Sequence, residues 1–336
     1  MNHTHKQYGL PRCCFGTRVG LFYVQQPYLT ICDQIELLLS RGMVVEDRPK
    51  AAEYLQRIGY YRLSAYWHPM RERDPNSGLV KDAFVRGTTF KEATDLYTFD
   101  GRLRLIMLDA LERLEVSLRT EVALCLGKYN PNAHRILNCL GRDFAAPAFK
   151  GGASKHREWL QRLDKRANES KDQFAQHFRT KYPSEDMPVW IAVELLDFGP
   201  LSHLISGMKN NDLYKIGKSF GGLRPDTLKS WARSLAFARN ICAHHSRLWN
   251  KPLVNQPSIN GAGLPADLHH LKNVPNAGKR LYSIASVSRV MLQSANPRTA
   301  WKDRFVAHIA TFPNSPRLTL RSAGFPDDWL LQGLWK

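Results

Sequence analysis

The sequence predicts an all-α fold, and three observations carry that prediction. Segment 91–127 repeats apolar residues at three-four spacing, with Leu96, Phe99, Leu103, Ile106, Ala110 and Leu114 on one helical face. The other periodic segments are short and end at Gly or Pro, as helices do. No segment of useful length alternates apolar and polar residues in the manner of a half-buried strand.

Taken in order, residues 1–27 lack any period and read as a loose N-terminal arm containing Cys13 and Cys14. "TICDQIELLLSRG" is a short helix capped by Thr30 or Asp33 and ended by Gly42. "RPKAAEYLQRIG" is a second, stopped at Gly59, and "YYRLSAYWHPM" a third, stopped at Pro69. Residues 73–89 are a loop by composition. The long helix follows, with Gly101 its weak point. Residues 128–152 are irregular, and a charged helix spans about 155–180. "PVWIAVELLDFG", "PLSHLISGM" and "DTLKSWARSLAFARNICAHH" supply three more. A Pro-rich loop at 251–275 precedes two closing helices near 276–294 and 299–311.

The 336 residues are 43% hydrophobic and 23% charged, enough to bury a core. The 48 Lys+Arg against 30 Asp+Glu leave a net charge of +18. Such a surplus favours a polyanionic partner, nucleic acid first, through phosphate contacts and counterion release. The six Cys show no zinc-like spacing, and the start of the chain lacks the apolar stretch of a signal peptide. No run approaches the ~18 apolar residues of a membrane span. A reducing cytoplasm, no membrane, no cofactor and no metal are the expectations.

Some motifs fail on inspection. "IGKSFGG" resembles a phosphate loop, but that pattern needs a glycine at position 212, where Asp212 stands in a helical segment. His244–His245 and His269–His270 are adjacent pairs, whereas helical metal sites use i,i+4 spacing. "IGYYRLSAYW" interleaves Tyr60, Tyr61, Tyr66 and Trp67 with Arg62; it is either helix packing or a surface for single-stranded RNA. Asp109, Glu112, Glu115 and Arg119 form a polar stripe on the long helix. That stripe is either solvated or a support for side chains on a facing helix.

"ARNICAHHSRLWN" (238–250) concentrates proton-active groups. On a helix over 226–247, Trp231, Leu235, Ala238 and Cys242 form the apolar side, and Asn240 and His244 are i,i+4 neighbours. Arg239 lies about 140° from His244 at the ~100° step per residue. Two readings fit these residues. Cations are favoured at a helix C-terminus by its dipole. Alternatively, Arg239 clamps a phosphate while a histidine, which titrates near neutral pH, moves a proton. The RNA's own 2′-OH would then attack, leaving a 2′,3′-cyclic phosphate and a 5′-OH without a metal.

"RNICAHHSRLWN" resembles the signature of the Abi family, the AbiD/AbiF-like abortive-infection proteins, whose helical domain belongs to the HEPN superfamily. Four further stretches resemble that family in the same order. They are "IGYYRLSAYW", "LYTFDGRLRLIMLDALERLEVSLRTEVA", "MPVWIAVELLDFGPLS" and the tail "NPRTAWKDRF…FP…GFPDDW". The resemblance covers about residues 28–332 and implies a HEPN-like helical bundle with additional N- and C-terminal helices. The expected regions are an N-terminal helical region at 28–90, a HEPN-like core at 91–250, and a C-terminal region at 251–336 packed on that core.

The HEPN pattern is an Arg, often followed by a polar residue such as Asn, and then a His after a total of four to six intervening positions. Arg239 and Asn240 match it, with His244 after four intervening residues or His245 after five; His244 shares a face with Asn240. The resemblance implies phage defence by a metal-independent endoribonuclease, toxic when activated as in toxin–antitoxin systems. Its site is made by two facing copies in a homodimer. Arg239 would hold the phosphate, His244 would be acid or base, and Asn240 would orient the site, supported by His245, Glu112 and Arg119. Tyr60, Tyr61, Arg62 and Arg247 are the expected RNA-binding residues. The alternative is a non-catalytic RNA-binding protein in complex with a small structured RNA.

Overall fold

A computed structural model describes residues 28–147, 149, 151–260 and 263–336. The arm expected at 1–27, with Cys13 and Cys14, lies outside the described residues. Thr30 opens α1 (Ile31–Ser40) with a capping box, exchanging side-chain and backbone bonds with Asp33. Asp47 caps α2 (Arg48–Ile58), and Gly59, at φ +89°, turns the chain directly into α3 (Tyr60–Trp67).

The segment expected as a loop carries a small antiparallel hairpin, β1 (Arg71–Arg73) with β2 (Val80–Phe84). Its turn is built by the Asp74 carboxylate, which accepts from the Asn76 and Ser77 amides at 3.0 and 2.8 Å. Strands of three and five residues are too short to show alternation, and only Phe84 among them is buried. The fold remains all-α.

The long helix, α4 (Phe90–Gly127), runs unbroken for 38 residues from a Thr89–Glu92 capping box. Gly101 does not interrupt it. A helical glycine costs about 1 kcal/mol relative to alanine, and the burial of Leu96, Phe99, Leu103, Met107 and Leu111 around it outweighs that. Of the predicted apolar face only Ile106 is half-buried; the indole of Trp301 donates to its carbonyl at 2.7 Å.

A short α5 (Arg142–Ala145) leads to the charged region, which forms two helices, α6 (Lys155–Glu169) and α7 (Gln173–Lys181). Arg179 explains the break: its guanidinium donates to the free carbonyls of Ala167 and Ser170 at the end of α6. Then come α8 (Val189–Ala192), α9 (Phe198–Ser206), α10 (Asn210–Lys218) and α11 (Pro225–Ala243). The closing helices are α12 (Leu281–Ala295) and α13 (Trp301–Ile309). Helix α4 is the axis: α3, α8, α9, α10, α11, α12 and α13 all pack against it. Among the described residues no helix is long and apolar enough to cross a membrane.

Candidate functional site at the end of α11

The apolar side of α11 is as the sequence predicts, with Trp231, Leu235, Ala238 and Cys242 buried. The helix is shorter than predicted, ending at Ala243 rather than 247. His244 is the C-cap and His245 follows in the left-handed region at φ +55°. The His245 amide donates to Cys242 O at 3.1 Å and the Ser246 amide to Ile241 O at 3.0 Å. This is a Schellman ending with histidine where glycine is usual, at a cost of about 1 kcal/mol.

Neighbouring elements hold that turn. Arg62 on α3 donates to the His245 carbonyl at 2.8 Å, and Arg247 returns a bond to the Ala65 carbonyl of α3. Asp100 on α4, fully buried, accepts from the Leu248 and Trp249 amides, the latter at 2.7 Å. Its carboxylate also accepts from Tyr66 Oη at 2.8 Å and Arg104 Nη1 at 2.6 Å. Burial pushes the Asp100 carboxyl up from its usual range, against Arg104, Tyr66 and the two amides.

Arg62 and Arg247, expected on RNA, therefore spend hydrogen bonds on backbone carbonyls, and burial lowers the Arg247 pKa. Tyr60 packs edge-on against Trp67 and accepts from Arg41 at 3.1 Å. Tyr66 and Trp67 are buried, so Tyr61, 91% exposed, is the aromatic of α3 that faces solvent.

Arg239 sits at the centre of a charged cluster. Its Nε lies 3.6 Å from Glu115 Oε2, its Nη2 lies 3.9 Å from Asp197 Oδ1, and its Nη1 donates to Asn240 Oδ1 at 3.4 Å. Both carboxylates are held more tightly by other arginines. Arg119 contacts Glu115 at 2.5 Å and donates to Leu196 O at 2.7 Å. Arg166 pairs with Asp197 and donates to Leu195 O at 2.8 Å. Glu194 completes the cluster 3.6 Å from Arg119. Burial raises the Glu115 pKa, against Arg119 and Arg239, with Asp197 adding to the rise. A cleft of about 390 Å³, lined by Arg119, Arg166, Glu194 and Asp197, opens beside these groups.

The structure thus brings Arg239, Asn240 and Arg119 together, with His244 one turn beyond Asn240. Asn240, His244 and His245 are exposed, and among the described residues neither imidazole is hydrogen-bonded to Arg239. Glu112 is not part of the cluster. It is exposed, and no hydrogen bond or ion pair among the described residues joins it to Arg239; Glu115 takes that place. Sequence reasoning missed Asp100, Arg166, Glu194 and Asp197. Asp100 carried a signal: a carboxylate among the apolar positions of α4, with Arg104 at i+4. The exposed His269 contacts Leu264 O, and the half-buried His270 contacts Asp267 O and Tyr282 Oη. Among the described residues no group of three or more His, Cys, Asp or Glu is arranged to hold a metal ion.

The sequence model of the family described as Abi-like protein matches residues 53–250, more than half of the chain. The chain belongs to the Abi-like protein family. The match spans α3, α4, α9 and α11, and so includes Asp100, Glu115, Asp197, Arg239 and His244. No curated protein and no solved structure matches the chain. Membership of the Abi-like family suggests a part in abortive-infection phage defence.

Proposed function

We propose that this Abi-like protein is a metal-independent endoribonuclease of the HEPN type that acts in abortive infection. The observation that carries the reading is the looseness of Arg239 in an otherwise tight cluster. Glu115 and Asp197 keep Arg119 and Arg166 when Arg239 leaves, so no buried carboxylate is stranded. Arg239 can therefore exchange its distant counterions for a phosphate, while Asn240 steers its guanidinium. The exposed His244 imidazole takes the proton of the 2′-OH or returns one to the departing 5′-oxygen. These two proton transfers fall on opposite sides of the phosphorus. A second copy facing the first supplies the second imidazole, and a homodimer follows. The basic surplus of +18 supports RNA as the partner.

The test incubates labelled RNA without divalent metal with the wild type and with Arg239→Ala, His244→Ala and His245→Ala. Wild type and His245→Ala should release 2′,3′-cyclic phosphate ends, and the other two should not. Wild-type protein that binds RNA and yields no such ends refutes the nuclease reading. It would leave the non-catalytic alternative, a complex with a small structured RNA. Loss of activity only in His245→Ala would move the proton-transfer role to that residue.

A further inference from the structure

Three helices run side by side from the Arg239 cluster. α9 and α11 pack closely, and α6 lies against α9, where Trp159 Nε1 donates to Pro200 O at 2.9 Å. At the cluster end they present Arg166, Asp197 and Arg239. One or two turns away the same three helices present Arg162, His203 and Arg233 around a groove of about 340 Å³. Arg162 is four residues from Arg166, and His203 and Arg233 are six residues from Asp197 and Arg239. At a rise of ~1.5 Å per residue these offsets are about 6 to 9 Å.

The groove is built. Its floor is Phe144 and Trp159, each 4% exposed. Phe144 lies so close to Gly207 that a Cβ there would overlap its ring, so only glycine at 207 leaves room for the floor. The rim carries Lys155, Arg162 and Arg233. In contrast to the arginines of the Arg239 cluster, none of these three cations has an ion pair among the described residues, although Asp143 and Glu158 also line the groove. Burial together with the charges of Arg162 and Arg233 holds the His203 imidazole below its ordinary pKa, as expected where both guanidiniums face it.

We infer that this groove is a second RNA subsite, which takes the phosphate and sugar of a nucleotide flanking the one held at Arg239. Arg162 and Arg233 bind the phosphate, and the Phe144–Trp159 floor receives the apolar face of the ribose or base. The position along α11 sets a path: single-stranded RNA enters over α6, follows the exposed side of α11 past Arg233, and reaches Asn240 and His244. The inference rests on RNA as the ligand of this face, not on cleavage.

The experiment therefore measures binding of a labelled single-stranded oligoribonucleotide to His244→Ala protein, so that the RNA survives. The comparison adds Arg162→Ala with Arg233→Ala, and separately Arg162→Glu with Arg233→Glu. Affinity should fall about tenfold or more with the alanines, the loss expected of charge-assisted bonds. It should fall further with the glutamates. The log–log salt dependence should lose about 0.7, one single-strand phosphate. An unchanged melting temperature shows that these exposed side chains do not act through folding. Binding of RNA should also raise the His203 pKa, seen in the imidazole proton resonances, because a phosphate beside it favours the charged form. Unchanged affinity and salt slope in the glutamate variant would overturn the subsite. If the wild type releases no cyclic phosphate, the nuclease reading falls while this binding result still decides the groove. If the wild type cleaves and the groove variants bind and cleave normally, the groove falls alone.

Discussion

Replacing Asp100 with Asn tests the hub beneath the α11 turn. The wild-type carboxylate receives four donors: Arg104, Tyr66 and the amides of Leu248 and Trp249. Asparagine offers one oxygen and turns an N–H toward the remaining donors. It also removes the charge opposite Arg104, whose side chain is 9% exposed. Stranding one partner of a buried ion pair costs about 3–5 kcal/mol, a large share of the ~5–15 kcal/mol that holds a typical protein folded. Urea unfolding at pH 7 should show that loss in Asp100→Asn. The double variant Asp100→Asn with Arg104→Met should recover at least ~1 kcal/mol of it, because no unpaired charge then stays buried. Hydrogen exchange at Leu248 and Trp249 should accelerate in both variants. Asp100→Asn within ~1 kcal/mol of wild type, or a double variant no more stable than Asp100→Asn alone, would refute the reasoning.

Glu115→Ala should lower RNA cleavage by roughly tenfold to a hundredfold, because it frees Arg119, which stays paired with Glu115 when Arg239 turns to the phosphate, and so disturbs the frame beside Arg239, a loss on the scale of a ~1 Å misplacement; Glu112→Ala should leave the rate unchanged, and equal rates for both variants would refute the role of Glu115. His245→Gly should keep cleavage and raise thermal stability by up to ~1 kcal/mol, the relief of a left-handed residue; reduced stability would show that the imidazole, not only the backbone, is used. His134, 1% exposed, is lowered by burial to about 4. The native state therefore binds fewer protons than the unfolded chain, so its contribution is complete above pH ~6.5 and is lost as pH falls toward 4, about 3 kcal/mol in all. His134→Leu should flatten the stability–pH curve in that window, and an unchanged curve would contradict the burial argument.

Much of this molecule was legible because long-range packing agrees with local pattern. The three-four spacing of Leu96, Phe99, Leu103 and Leu114 marks α4, and Trp231, Leu235, Ala238 and Cys242 mark the buried side of α11. The end of α11 was not legible. Nothing local forbids helix through Arg247; the Schellman turn forms because Arg62 and Asp100, distant in sequence, take the carbonyl and amides it exposes. The choice of Glu115 over Glu112 was also hidden. Both belong to one polar stripe, and about 60° of helical rotation, at ~100° per residue, separates them. Only the position of α11 decides which one meets Arg239. Asp197 and Arg166 lie on other segments, and no spacing rule links them to position 239.

The turn after His244 also bears on what a linear signature means. In "RNICAHHSRLWN" Asn240 and His244 meet solvent, while Arg247, Leu248 and Trp249 are bound by α3 and α4. The stretch therefore joins solvent-facing side chains to an anchored segment. A peptide or a graft carrying only these residues would lose the fixed direction of its imidazoles. Conversely, a relative that kept the Arg and His but lacked an equivalent of Asp100 could not be assumed to present them alike. A relative expected to hold this turn as the present chain does should carry the pair Asp100–Arg104 together with the Arg–His pattern.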